Sequence, residues 1–231
     1  MPPRPRAVIL LSDSRWTYPS TRVEDQGAKL FQIAEDAGAV YSGDVRSGDL
    51  GLNQLAGSFK IGKVKTSRSK TARDLLRNAY SRHAPDGPLR VFIGVCGPTT
   101  PARLLYFDSD QQFNPKRLSS VNVMAAPEAE SAFREGLSEV TAETITTPSD
   151  LTVHRAALTL IIALQNYVIE PAFDSSIGGN IQCSIIDNTG FRRMGYCSIK
   201  RGINYTNLRK LRRVETFPKK RKTLLITTAA R

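Results

Sequence analysis

The chain has 231 residues, of which 40% are hydrophobic and 7% aromatic, a balance typical of a globular protein with a substantial core. No stretch approaches the roughly 18 uninterrupted apolar residues of a membrane-spanning helix, and no secretion signal is recognisable, so the sequence predicts a cytoplasmic protein. The formal net charge is +12 at pH 7, and most of the excess lies in one segment, residues 200–222.

The first part of the sequence predicts strands followed by two helices. Residues 7–12 form a short continuous apolar run, typical of a strand buried on both faces. Two further short runs flank a turn-rich tetrapeptide and therefore predict a hairpin, after which apolar residues recur at helical spacing. The predicted strands are 28–34 and 38–42, the turn is 35–38, and the helices are 49–59 and 71–80.

The second part of the sequence predicts strands, then two helices, then a last hairpin. Its predicted strands are 89–95, 102–107 and 121–124, its helices are 128–140 and 150–168, and its last hairpin is 180–186 with 192–199. Antiparallel hairpins in blocks separated by helix pairs predict an α+β protein rather than a doubly wound parallel sheet. The expected architecture is a four-layer αββα sandwich of two mainly antiparallel sheets.

Two groups of residues carry a family resemblance. After the Asp13–Arg15 triplet, Lys29 follows Asp13 by sixteen positions and Gly43 follows Lys29 by fourteen. Farther along, the segment Asp174–Gly179 leads into the hairpin Ile186–Gly190. The sequence from about residue 7 to 200 resembles proteasome subunits, which are N-terminal-nucleophile (Ntn) hydrolases built on the αββα sandwich.

The resemblance implies roles in amide or peptide-bond hydrolysis for five residues. Lys29 would lower the pKa of a nucleophilic hydroxyl, and Asp13 would keep that lysine charged, with Arg15 in the same ionic cluster. The backbone N–H of Gly43 would donate to the oxyanion, and Asp174 would support the N-terminal amine. The alternative is a purely structural role, in which Asp13 and Lys29 form an ion pair between neighbouring strands and a tight turn requires Gly43.

The nucleophile itself is missing from this sequence. No Thr, Ser or Cys precedes Ser12, and Ile177 and residues 125–127 replace serine-containing segments of the family. Either the sequence begins inside a longer one that carries a nucleophile strand, or the protein is a non-catalytic relative that keeps the sandwich for assembly. The sequence favours no activity as it stands; an active form would be a threonine-type peptidase or amidohydrolase. The family also implies a ring-type homo-oligomer.

The charge distribution predicts a domain over residues 1–200 and a basic tail over 201–231. Residues 200–222 contain ten bases and the single acid Glu215, and residues 223–228 have the composition of one more strand. Such a run is typical of a solvated or assembly-contacting tail. Binding of an anionic polymer, nucleic acid in particular, is the alternative function.

Metal and cofactor chemistry is not indicated. Cys96, Cys183 and Cys197 are odd in number and lack a C-x-x-C pair, which disfavours a disulfide framework and a zinc site. They are interpreted as small apolar residues within strands. The two histidines, His83 and His154, lie in unrelated contexts and do not predict a metal pair.

Overall fold

The computed structural model describes residues 7–17, 23–24, 26–60, 68–118, 124, 153, 157, 160–161 and 178–198. The predicted helix at 128–140, most of the predicted strand at 121–124, Asp174 and the basic tail lie outside these residues. Contacts divide the chain into two compact units. The first consists of Met1–Ser12, Ala28–Met124 and Ser184–Arg192, and the second of Asp13–Gly27, Ala125–Cys183 and Arg193–Arg231.

The described residues form an α+β structure. Two of its helices are described over their full length: α1, Val45–Lys60, and α2, Arg68–Ser81. The strands are β1 Val8–Ser12, β2 Trp16–Thr17, β3 Val23–Glu24, β4 Leu30–Ala34, β5 Ala37–Gly43, β6 Leu89–Val95, β7 Arg103–Asp108, β8 Lys116–Leu118, β9 Asn180–Asp187 and β10 Gly190–Ser198.

Five strands of the first unit form an antiparallel sheet in the order β4-β5-β6-β7-β8. The predicted hairpin around residues 35–38 is confirmed: β4 pairs with β5 so that Leu30 lies opposite Val40. Strand β6 then pairs with β5 and with β7, which places Val91 between Tyr41 and Phe107. Sequential neighbours therefore pair throughout, as in a meander.

Both faces of this sheet are buried, which the alternation of side chains along each strand explains. One face packs against the helices, with Tyr41, Val91 and Phe107 around Leu52 and Leu76. The opposite face packs against β1 and the end of β9. Its buried residues Leu30, Val40 and Phe92 pack with Val8 and Leu10 of β1 and with Ile186 of β9. The first unit is therefore layered, with the five-stranded sheet between helices and other strands.

The second sheet has three strands in the order β1-β9-β10 and is also antiparallel. Its hairpin is stabilised at the predicted turn, where Asp187 Oδ1 accepts hydrogen bonds from the N–H and hydroxyl of Thr189, and Gly190 has φ +106°. Burial by itself raises the pKa of the Asp187 carboxyl, but the Thr189 hydrogen bonds and the Arg192 charge lower it overall. The Phe191 N–H then donates to Glu35 O at 2.7 Å.

Three expectations from the sequence need correction. Helix α1 begins at Val45, four residues before the predicted start, because Asp44 caps it. Strand β8, Lys116–Leu118, follows β7 where no strand was expected. In β1 only Val8 and Leu10 are buried, so the strand is buried mainly on one face rather than on both.

Within the predicted helix 150–168, the described residues are helical. They are Val153, Ala157, Leu160 and Ile161, of which Ala157 and Ile161, four positions apart, are buried. That spacing brings two side chains to one face of a helix. The predicted helix is therefore confirmed at these positions.

Candidate functional site

The Asp13–Arg15 triplet and the glycines near the start of β9 meet within the second unit. The Gly178 N–H donates to Asp13 Oδ2 at 3.0 Å, across 165 residues of sequence. The same carboxylate oxygen accepts the Arg15 N–H at 3.2 Å, so it closes a tight turn after β1. The Asp13 carboxylate thereby stabilises the turn at residues 13–15 and also binds the segment that contains Gly178.

Ser14 strengthens this junction from a buried position. It is 1% exposed, its Oγ accepts the Asn180 N–H at 2.7 Å, and its N–H donates to Gly178 O at 3.3 Å. Its carbonyl accepts the Gly27 N–H at 2.8 Å. Because buried polar groups are costly when unpaired, this set of partners gives Ser14 a structural reason to be a small hydroxyl residue.

Close packing explains the glycine at position 178. A Cβ built there would lie 2.4 Å from Cζ of Arg15, so the guanidinium occupies the space that a side chain would need. Gly27 is similar, since its Cβ would lie 2.4 Å from the Trp16 indole. We name the residues Asp13, Ser14, Arg15, Gly178 and Asn180 the Asp13 junction.

Lys29 and Gly43 belong to the first unit. Lys29 directly precedes β4 and is half-buried. Gly43 ends β5 at φ +98°, a conformation that favours glycine, and its Cβ would overlap the carbonyl oxygen of Pro88 at 1.8 Å. Its requirement for glycine is therefore structural as well as a feature of the proposed oxyanion role.

Asp44 is the polar residue of this region that the sequence analysis missed. Its Oδ1 accepts the Ser47 N–H at 2.7 Å, its Oδ2 accepts the Asp86 N–H at 3.1 Å, and its own N–H donates to Pro88 O at 3.1 Å. An aspartate three residues before a serine, directly ahead of a helical pattern, is an N-cap signal that would have found it. We name Gly43, Asp44, Ser47, Asp86 and Pro88 the Asp44 junction.

The environment of Asp44 favours its charged form. Burial by itself raises the pKa of the Asp44 carboxyl, but hydrogen bonds from Ser47 and the Asp86 amide, together with the Arg46 charge, lower it overall. The N-terminal end of α1 adds a favourable dipole for an anion. Asp44 is thus held as a carboxylate directly beside the Gly43 peptide.

Of the five predicted site residues, the second unit brings Asp13 and Arg15 together. Lys29 and Gly43 are described in the first unit, and Asp174 lies outside the described residues. The roles that the resemblance implies for all five stay predictions.

The described thiols are buried and unreactive in character. Cys183 lies in β9, where complete burial raises the pKa of its thiol. Cys96 follows β6, and burial, with the charges of Asp187 and Asp36, raises the pKa of its thiol as well. A thiolate is the reactive form, so neither position favours nucleophilic chemistry.

Within the described part of the chain, no cluster of three or more His, Cys, Asp or Glu side chains is arranged to bind a metal ion. The same residues contain no helix with the length and apolarity that crossing a membrane requires.

Comparisons with known proteins do not extend the resemblance. Neither the protein-family models nor the curated proteins give a match to this chain.

Proposed function

We propose that this chain is a proteasome-subunit-like protein that keeps the polar framework of an Ntn amide-hydrolase site on a four-layer αββα sandwich. The observation that carries the proposal is the hydrogen bond from the Gly178 N–H to Asp13. It joins the two segments, Asp13–Arg15 and Gly178–Gly179, on which the family resemblance depends. The two segments are therefore in direct contact, which supports the proposal.

In this proposal the framework residues act on an amide substrate as the family resemblance implies. Asp13 orients the Lys29 ammonium, which lowers the pKa of a nucleophilic hydroxyl by its nearby positive charge. Gly43 donates its N–H to the oxyanion. The geometry of Gly43 supports this role, since the peptide is fixed between β5 and the capped start of α1.

The substrate class is a peptide or another amide, and the assembled form is a homo-oligomeric ring. The first hydroxyl or thiol in the sequence is that of Ser12. The proposal therefore includes two forms: hydrolysis, where a nucleophile is supplied, and assembly without catalysis. One set of measurements separates the two forms.

The test measures hydrolysis of a fluorogenic peptide amide and the molar mass in solution for the full chain, Lys29→Ala and the control Lys116→Ala. Hydrolysis that Lys29→Ala removes and Lys116→Ala retains would support the catalytic form. Ring-sized particles without hydrolysis would support the assembly form. A monomer without hydrolysis, or hydrolysis unchanged by Lys29→Ala, would overturn the proposal.

A second candidate function is supported by the ten bases against one acid between residues 200 and 222. We propose that this tail binds nucleic acid through phosphate contacts. Replacing residues Lys219–Lys222 with glutamine in the full chain should shift elution from a nucleic-acid column to lower salt. Unchanged elution would contradict this candidate.

A further inference from the structure

Three basic side chains follow one stripe of α2. Lys70, Arg73 and Arg77 are spaced i, i+3 and i+7, away from the face that buries Ala72 and Leu76. Lys70 and Arg77 are exposed, and the side chain of Arg73 is 35% exposed. Seven residues of helix span about 10 Å. The stripe is therefore a row of cations on the outside of an amphipathic helix.

The direction of this stripe follows from an aromatic contact. Arg73, Arg77 and Tyr80 are spaced i, i+4 and i+7 and share a flank of α2. The Tyr80 ring meets the ring of Phe113, with centroids 5.6 Å apart. Phe113 lies in the connection between β7 and β8, so the basic flank of α2 is directed to the β7–β8 side of the sheet.

The β7–β8 edge adds two arginines on the same side of the sheet. Arg103 alternates with Leu105 and Phe107, which pack against the helices, so all three share a face. Arg117 on β8 lies opposite Leu105 and shares that face too. Both arginines are exposed. The neighbouring Lys116 lies opposite Tyr106 and belongs to the other face.

These five residues define a surface that we name the α2–β8 basic surface: Lys70, Arg73, Arg77, Arg103 and Arg117. Asp74 is the acid beside it on α2, and it forms an ion pair with Arg73 at 2.9 Å. The surface belongs entirely to the first unit and contains no residue of the basic tail. Three elements, α2, β7 and β8, thus bring cations to one side of the first unit.

We propose that the α2–β8 basic surface binds the phosphate backbone of duplex nucleic acid. Four of its five cations are arginines, whose planar guanidinium matches phosphate oxygens in a two-pronged hydrogen bond. A row of about 10 Å spans about three phosphates of one strand at the spacing of about 3.4 Å along the axis. Contacts of this kind bind without reading sequence.

A lipid surface fits the same residues less well. Helices that lie in a membrane interface insert apolar side chains beside their cations. The exposed positions of α2 are instead polar. They are Arg68, Lys70, Asp74, Arg77, Asn78 and Ser81. The chemistry therefore favours a fully hydrated polyanion.

The test measures binding of the full chain to a 20-base-pair duplex of random sequence over a range of salt concentrations. Each lost phosphate contact lowers the slope of log K against log salt by about 0.9 for duplex DNA. The variant Arg77→Gln/Arg103→Gln/Arg117→Gln should therefore have a slope smaller by about 2 to 3. The basic tail is identical in all variants, so the difference reports this surface alone.

The neighbouring residues on β8 supply a matched control. Arg117→Gln should lower the slope by about 0.9, whereas Lys116→Gln, with the same loss of charge on the same strand, should leave it unchanged. An equal effect of the two changes, or an unchanged slope in the triple variant, would overturn the proposal. Binding to anionic vesicles but not to the duplex, or salt-dependent self-association lost in the triple variant, would also overturn it. None of these readouts depends on hydrolase activity.

Discussion

Two aspartates, one in each unit, directly follow strands and accept hydrogen bonds from backbone amides. They differ in how far along the sequence those amides lie. Asp44 caps α1 through Ser47, three residues away, and holds Asp86, 42 residues away. Asp13 holds Gly178, 165 residues away. In both junctions a carboxylate accepts backbone N–H groups. In the Asp44 junction this caps a nearby helix, and in the Asp13 junction it joins two segments that are distant in sequence. A side chain's chemistry alone therefore does not tell how much of the fold depends on it.

The largest expected effect comes from the glycine of the Asp44 junction. Gly43→Ala adds a methyl group 1.8 Å from a rigid carbonyl oxygen, at φ +98°. Because neither the backbone nor the carbonyl can move freely, the substitution should lower the free energy of unfolding by about 3 kcal/mol or more. Urea denaturation measures this change.

The control for that prediction is Gly87→Ala in the adjoining connection. A Cβ at Gly87 would have no neighbour within 4 Å, and its φ is not in the left-handed region. This change should alter stability by less than about 1 kcal/mol. If both glycine variants lose the same stability, the clash with Pro88 is not the cause.

The next effect concerns the Asp44 carboxylate. Asp44→Ala leaves the amides of Ser47 and Asp86 without their acceptor and should cost about 1 to 2 kcal/mol. The folded-state pKa of Asp44 is lowered, so its contribution is fully present above the unfolded-state pKa of about 3.9 and is lost as the pH falls through the folded-state pKa.

Denaturation of wild type and Asp44→Asn between pH 6 and pH 2 measures the pH dependence. The stability difference between them should shrink as the solution becomes acidic. The exposed Asp74→Asn is the control, for which we expect only a small difference at any pH. A gap between wild type and Asp44→Asn that stays constant to pH 2 would contradict the assignment.

A smaller effect is expected in the Asp13 junction. Gly178→Ala places a methyl group 2.4 Å from the Arg15 guanidinium, which is the end of a flexible side chain and can move aside. The cost should be about 1 kcal/mol, below that of Gly43→Ala. A second substitution, Arg15→Ala, should reduce this cost, and a thermodynamic cycle of the two variants measures the coupling. Additive effects would mean that Arg15 does not cause the loss.

The smallest effect has the opposite sign. Gly57 lies exposed within α1, and a Cβ there would have no neighbour within 4 Å. Because alanine favours helices over glycine, Gly57→Ala should stabilise the protein by about 0.5 to 1 kcal/mol. Thermal unfolding checks this change, and a loss of stability would show that position 57 is less open than described.

Much of the first unit could be predicted from local patterns. The β4–β5 hairpin and strand β6 follow from short apolar runs with turn residues between them, and α2 follows from apolar residues at helical spacing. The start of α1 was predicted four residues late, since the cap at Asp44 was not recognised. Within the helix, Gly48 and Gly51 have low helix propensity. Both glycines are instead packing positions, Gly48 against the Tyr41 ring and Gly51 against Leu76.

The candidate site was only partly predictable. Asp13 and Arg15 were singled out through spacing, which carries no information about hydrogen-bond partners. The bond between Asp13 and Gly178 depends on how β1 and β9 come together, a property of the whole fold. The partners of Ser14 depend on the same long-range pairing, since they include Asn180 and Gly27. The local N-cap pattern would have identified Asp44, but no local pattern identifies the hydrogen-bond partners of Asp13 and Ser14.

The buried thiol of Cys183 can report how often the β9–β10 hairpin opens. The Cys183 thiol lies 3.7 Å from the Met194 thioether, fully enclosed. The enclosed thiol is inaccessible to an alkylating reagent and is protonated, so it does not react with the reagent. Alkylation therefore requires β9 and β10 to separate first. The labelling rate at Cys183, followed by mass spectrometry, therefore counts the spontaneous openings of the hairpin in a protein that otherwise stays native.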